Sequence, residues 1–226
     1  MMTPGREWSV LLIGAGGLGC AAALALVQVG VTRLGLADGD RLALSNLHRQ
    51  ILYRADEIGT PKVDRAAARL EAIAPTLRVE RHEQRLEERE RIAAVASGYA
   101  VTIDASDNFA TRFAANDAAL MGGFPLIHGA ATGFRGQLMT ILPGRSACLR
   151  CLFTAPPPAN TPTCQGEGVL GPLVGEVGWL MGMEAIKLLG GTGEPLHNRM
   201  LTIDALTGKR RTLPVPRNPD CPCATP

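Results

Sequence analysis

The chain has 226 residues, of which 46% are hydrophobic and 19% charged, with a formal net charge of +2. That is enough apolar material for a sizeable core, and the charge is too balanced for a nucleic-acid footprint or an acidic tail. Its apolar runs are too short or too interrupted by glycine to span a bilayer.

The N-terminus, MMTPGREWSVLLIG, lacks a basic start, a long apolar stretch and a small-residue cleavage site. The expectation is a cytoplasmic protein whose six cysteines are mostly reduced, available for thiolate chemistry or metal binding rather than disulfides.

In chain order the first strand spans 9–13 and runs into Gly14-Ala15-Gly16-Gly17-Leu18-Gly19, which opens a helix over 19–29. A buried strand, a glycine turn and a helix start in that order make an anion site. Gly14, Gly16, Gly17 and Gly19 let a phosphate approach, and backbone N–H groups and the positive end of the helix dipole point at it. A second strand at 33–37 ends in Asp38, whose carboxylate can accept from ribose hydroxyls. Further helices are expected at 61–73, 86–96, 111–121 and 176–190, and further strands at 77–81, 100–104, 125–128, 136–142, 200–204 and 210–213.

Alternation over the first 130 residues implies a parallel sheet with helices on both faces. From residue 133 glycine- and threonine-punctuated strands suggest an antiparallel extension. The fold class is therefore α/β, a Rossmann-like, doubly wound, mostly parallel sheet extended by antiparallel strands. We take 1–226 as one domain, with a nucleotide-binding part at 1–132 and an antiparallel, crossover-loop and cysteine part at 133–226. Thr154 to Gly168 carries four prolines and no apolar period, and reads as a long surface loop able to close over a reacting group.

Charged residues gather in the loops after successive strands. Asp38-Gly39-Asp40 is followed by Ser45-Asn46-Leu47-His48-Arg49-Gln50, then Lys62, then Asp104-Ala105-Ser106-Asp107-Asn108 with Arg112 a turn later. Arg49 and Lys62 offer permanent positive charge to a triphosphate, one by bidentate hydrogen bonds and the other as a point charge. Asp107, just past a strand end, suits Mg²⁺, which keeps waters and takes one or two carboxylates besides phosphate oxygens. His48 reads as a surface or packing residue. His82, His128 and His197 show no ligand spacing, Cys20 is a small core residue, and Trp179, Leu180, Met181 and Met183 are core or interface.

GAGGLG, the DGDxxxLSNLHRQ segment, Pro61-Lys62 and DASDNFATR resemble the ThiF/HesA/MoeB family, whose fold is shared with ubiquitin-activating enzymes. The resemblance continues through CLRCLF, Cys164, GVLGPLVGEVGWLMGMEAIKLL, IDALTG and RNPDCPC, nearly the whole chain. It implies a MgATP-dependent adenylyltransferase acting on the C-terminal Gly-Gly carboxylate of a small ubiquitin-like sulfur-carrier protein. The product is then converted to a thiocarboxylate or passed to a thiol, with a sulfur donor as a further partner.

By motif, Gly17, Asp38, Ser45, Asn46, Arg49, Lys62, Asp107 and Asn108 fall on the family's ATP positions; the other loop glycines and Asp40 are grouped with them. Arg49, Lys62 and Asp107 take catalytic roles. Cys164 stands where some members join covalently to the partner and where others carry a cysteine they do not need.

Cys148-x-x-Cys151 and Cys221-x-Cys223 resemble the family's two zinc pairs, although the second is normally C-x-x-C and is one residue short here. A C-x-C pair can still supply two thiolates in a tighter geometry. The family also uses an N-terminal helical arm whose arginine reaches the partner subunit of a homodimer. Here Arg6 lies too close to the first strand to act that way. Two readings stand beside this one. The glycine turn and Asp38 permit an NAD-dependent oxidoreductase, and the missing arm permits a noncatalytic binder of a ubiquitin-like protein. Thiamine, molybdopterin and other sulfur-carrier pathways are not separated by these motifs.

Overall fold

The computed structural model describes residues 8–155, 168–221 and 223. The first half alternates β1 (Ser9–Ile13), α1 (Gly17–Gln28), β2 (Arg33–Ala37), α2 (Lys62–Ile73), β3 (Arg78–His82), α3 (Arg89–Ala96), β4 (Val101–Asp104) and α4 (Phe109–Gly122). There follow β5 (Leu126–Thr132), β6 (Arg135–Ile141), a short α5 (Leu149–Leu152), the long α6 (Gly171–Gly190), β7 (Arg199–Asp204) and β8 (Lys209–Pro214).

The eight strands form one sheet in the order β3-β2-β1-β4-β5-β6-β7-β8. Pairing is parallel from β3 through β5 and antiparallel from β5 to β8, which is the expected architecture. β1 carries five buried residues, SVLLI, because both faces are covered by helices; its run is continuous rather than alternating. One apolar layer joins α1, α2 and α6 to the sheet, and a second joins α3 and α4 with the cysteines of the C-terminal segment.

Strand order reverses between β1 and β4, so the chain leaves in opposite directions beyond their carboxyl ends and opens a crevice there. α6 packs along α1 through small residues: a methyl group on Gly178 would come within 2.3 Å of the Leu18 carbonyl, and one on Gly182 within 2.6 Å of Ala25 Cβ.

Several boundaries differ from the sequence expectation. The helix expected over 176–190 begins at Gly171; Gly171, Gly175 and Gly178 weaken its helical signal, while Pro172 fits the first turn, where its missing N–H is not needed. α1 starts at Gly17 rather than 19, and α3 at Arg89 rather than 86. β5 runs on to Thr132 because its hairpin with β6 pairs Thr132 with Arg135. The short α5 and two 3₁₀ turns, Leu44–Asn46 and Ala55–Glu57, were not anticipated. Among the described residues no helix is long and apolar enough to cross a membrane.

Candidate functional site

The glycine turn is built by contacts that exclude side chains. Gly14 has φ +96°, and a methyl group on it would meet the Ala105 carbonyl at 2.8 Å. Gly19 approaches more closely still, its absent Cβ falling 2.0 Å from the Gly14 carbonyl oxygen. Gly16 ends up as the N-cap of α1 with no side chain in the way, leaving the first backbone N–H groups of the helix facing the crevice.

Asp38 locks this turn to β2. One carboxylate oxygen accepts from Ala15 N–H at 2.8 Å and the other from Asp40 N–H at 2.8 Å. Each oxygen keeps a lone pair for a hydroxyl group. Burial raises the Asp38 carboxyl above its ordinary value although Lys62 opposes this.

The Lys62 ammonium is buried. Its Nζ donates to Asp40 Oδ2 at 2.9 Å and lies 4.0 Å from Asp38 Oδ2. Asp40 also accepts from Arg85 Nη2 at 2.6 Å. Burial tends to raise the Asp40 carboxyl, but these two cations outweigh it and hold it below the ordinary value. Asp40 thus engages the site's own cations in this structure.

The segment after Asp40 turns back over the crevice. Asn46 Oδ1 accepts from Ala43 N–H, and Arg49 Nη1 donates to the Ser45 carbonyl at 3.0 Å, which pins the guanidinium beside the glycine turn. His48 is exposed, with Nε2 3.4 Å from Arg49 Nη1. On the far wall Asp107 is exposed to the crevice, and Asn108 Oδ1 caps α4 by accepting from Thr111 N–H at 2.8 Å. Behind them, burial pushes the Asp104 carboxyl up, but hydrogen bonds from His128 and Ser106 overcome this and hold it down.

These residues line one open cavity of about 810 Å³. Gly14, Gly16, Gly17, Asp38, Asp40, Ser45, Asn46, Arg49, Lys62, Asp107 and Asn108 all contribute to its wall; Gly19 lies beneath it. Ala131 of β5, with Gly168, Val169 and Val174 from the second part of the chain, closes one side. Three cavity residues or supports had no assigned role from sequence. Gln50 is buried with Oε1 lacking a hydrogen-bond partner among the described residues, Arg85 stands at the rim, and His128 lies behind the wall. Gln50 was within reach as the last residue of LSNLHRQ; nothing in the sequence marked the other two.

Cys148, Cys151, Cys221 and Cys223 come together, their sulfurs all within 4.8 Å of one another. Cys148 and Cys221 Sγ are 3.5 Å apart and Cys151 and Cys223 Sγ 3.3 Å apart. A tetrahedron with Zn–S bonds of about 2.3 Å has edges of roughly 3.8 Å, so the four thiols fit such an ion. The shortened Cys221-x-Cys223 pair converges fully. None of the four lines the cavity. They join α5 to the C-terminal segment, while Arg150 grips Asp117 of α4 through two hydrogen bonds of 2.6 Å. Cys20 is buried beneath the glycine turn, and its thiol is pushed up to about 12 by burial, as befits a core residue. Cys164, most of the Thr154 to Gly168 segment expected as a lid, and Arg6 lie outside the described residues.

Fold and crevice together define a Rossmann-like α/β protein whose cavity is lined by a glycine turn, cations and carboxylates. Residues 5–223 match the ThiF family, and the chain belongs to it. Among curated relatives, it is 44% identical over 223 residues to the sulfur carrier protein adenylyltransferase of Thermus thermophilus, covering 96% of this chain and 82% of that one. It is 44% identical over 214 residues to the SAMP-activating enzyme E1 of Haloferax volcanii, covering 94% and 78%. Among solved structures, E. coli MccB crystallised with ATP superposes with a TM-score of 0.87 at 19% identity, over 97% of this chain and 68% of that one, a likeness of fold.

Proposed function

We propose that this chain adenylates the C-terminal carboxylate of a small ubiquitin-like sulfur-carrier protein ending in Gly-Gly, using MgATP and releasing pyrophosphate. The observation that carries the reading is the convergence of the α1 N-terminus, Arg49, Lys62 and Asp107 on one cavity. The names of the relatives supply the class of acceptor. That set of charges has no obvious job in hydride transfer itself.

In this reading Asp38 receives the ribose hydroxyls, and the glycine turn receives the phosphates on backbone N–H groups. Arg49 and Lys62 neutralise the charge that grows on the departing oxygens. The carrier's carboxylate oxygen, already ionised, attacks the α-phosphorus; the new O–P bond forms as the bond to the β-phosphate oxygen breaks. Pyrophosphate leaves, and no proton need be taken, which agrees with the exposed His48. Magnesium, when bound, offsets phosphate charge, and Asp107 with Asn108 beside it provides hard oxygen donors suited to it. Catalysis is then positioning and charge neutralisation.

The four cysteines are read as a structural zinc site, and 1–226 as one functional unit, since both halves contribute to the cavity wall. A homodimer and a sulfur donor are further parts of the proposal. Cys164 acts after adenylation, so Cys164→Ser retains exchange.

The test is carrier-dependent exchange of labelled pyrophosphate into ATP. Exchange should require an intact Gly-Gly terminus on the carrier. Absence of exchange with every available Gly-Gly carrier, in a protein that binds MgATP, favours a noncatalytic binder and overturns the reading.

A further inference from the structure

Asp104 is a fully buried carboxylate that the scheme above leaves without a task. It is the last residue of β4, and its two oxygens collect three hydrogen bonds. Oδ1 accepts from Ser106 N–H at 3.1 Å and from Ser106 Oγ at 2.6 Å, and Oδ2 lies 2.8 Å from His128 Nδ1. An ionised carboxylate only accepts, so Nδ1 carries the proton. His128 is the register partner of Asp104 in β5, which brings the two side chains to the same level of the sheet.

Ser106 is held from the other side as well. Its carbonyl accepts from Arg112 Nε at 3.3 Å and Nη2 at 3.1 Å, out of the first turn of α4. Every polar group of Ser106 is therefore engaged by groups that are themselves buried. The next residue is Asp107, and the one after it is the cap of α4.

A buried carboxylate, histidine and guanidinium are stable only when all their partners are in place, and an apolar trio would fill the same layer at less risk. The network ends where the strand gives way to the Asp107 loop. We propose that His128 and Asp104 are positioning residues: through Ser106 they fix the 105–107 backbone, so that the Asp107 carboxylate meets the metal-bearing triphosphate already oriented. The proposal rests on the adenylation reading for its chemistry. Residues that orient a metal's carboxylate from behind commonly change metal affinity when lost, and small misplacements of reacting groups are expensive.

Histidine variants give the test. His128→Leu removes the donor, whereas His128→Asn returns an N–H the same number of bonds from the backbone as Nδ1. The readouts are thermal melting, calorimetric binding of ATP with EDTA and across a Mg²⁺ series, and pyrophosphate exchange. His128→Leu should bind ATP in EDTA as the parent does, yet need about tenfold more Mg²⁺ for half-saturation. Its kcat for exchange should fall by about 100-fold with the carrier's KM unchanged. His128→Asn should restore most of both.

A folded His128→Leu with the parent's Mg²⁺ requirement and kcat overturns the proposal, and so does equal loss in the leucine and asparagine variants. Should the leucine variant not fold, Ser106→Ala removes one of the three hydrogen bonds. It should shift the Mg²⁺ requirement in the same direction by a smaller factor, and no shift overturns the proposal. A parent that binds MgATP but never exchanges pyrophosphate defeats the adenylation reading, while the Mg²⁺ series still decides the positioning role.

Discussion

Lys62 Nζ and Asp40 Oδ2 are 2.9 Å apart, an ion pair that gives the buried lysine a carboxylate partner in the wall of the cavity. The pair also sets a direction, because Asp40 is tied to Arg85 on its other oxygen and cannot follow the lysine into the cavity.

Lys62→Met is therefore expected to lose transition-state stabilisation of about 2–4 kcal/mol, and Arg49→Ala a similar amount, the range for one strong donor at a developing charge. Pyrophosphate exchange rates measured at saturating carrier check both. Rates near those of the parent would remove the residue concerned from the phosphate end of the site.

Asp107→Ala should abolish exchange and leave the melting temperature unchanged. The side chain is exposed to the cavity and contributes no core packing, so the core is expected to survive its loss. Ordinary exchange by a folded Asp107→Ala protein would defeat its assignment.

The cysteine cluster makes a prediction in metal content. Protein purified without chelator should contain about one zinc per chain, and a strong chelator should lower its melting temperature, because affinity for an ion held only by the folded state is folding stability. Cys221→Ser should melt lower in the same way without losing nucleotide binding, since no cluster cysteine reaches the cavity. Metal-free protein with an unchanged melting curve in chelator would show that the thiols are idle.

Acid stability should depend on Glu80. Hydrogen bonds from Arg33 and Tyr99 hold its carboxyl at about 2, down from the ordinary 4.5. A depressed folded-state value means the contribution is complete above pH 4.5 and is lost as the pH falls towards 2. Glu80→Gln should be less stable than the parent at neutral pH, and the gap should close through that window. Denaturant melts at a series of pH values test this; a gap independent of pH would mean that the hydrogen bonds, and not the charge, carry the effect.

Much of this was readable from residues. Gly14 to Gly19 could be placed because an apolar run precedes them and an acidic residue follows the next strand, a spacing that backbone geometry enforces. Arg49 and Lys62 lie in the connection from β2 to the start of α2 and Asp107 lies just after β4, so parallel topology brings them to one edge of the sheet. Hidden were the relations that only pairing creates. His128 faces Asp104 because β5 lies beside β4 in one register, and nothing within LIHGAAT announces it. Asp40 lines the cavity as its motif suggests, but its pairing with Lys62 and Arg85, which lie far along the chain, was not legible. The start of α6 was obscured by glycines whose reason is the neighbouring helix.

Those glycines bear on how the two halves of the chain are joined. Gly178 and Gly182 let α6, from the second half of the chain, sit against α1, which carries the phosphate turn. A side chain at either position would collide with α1, so the seating of the second half on the first depends on these two positions having none.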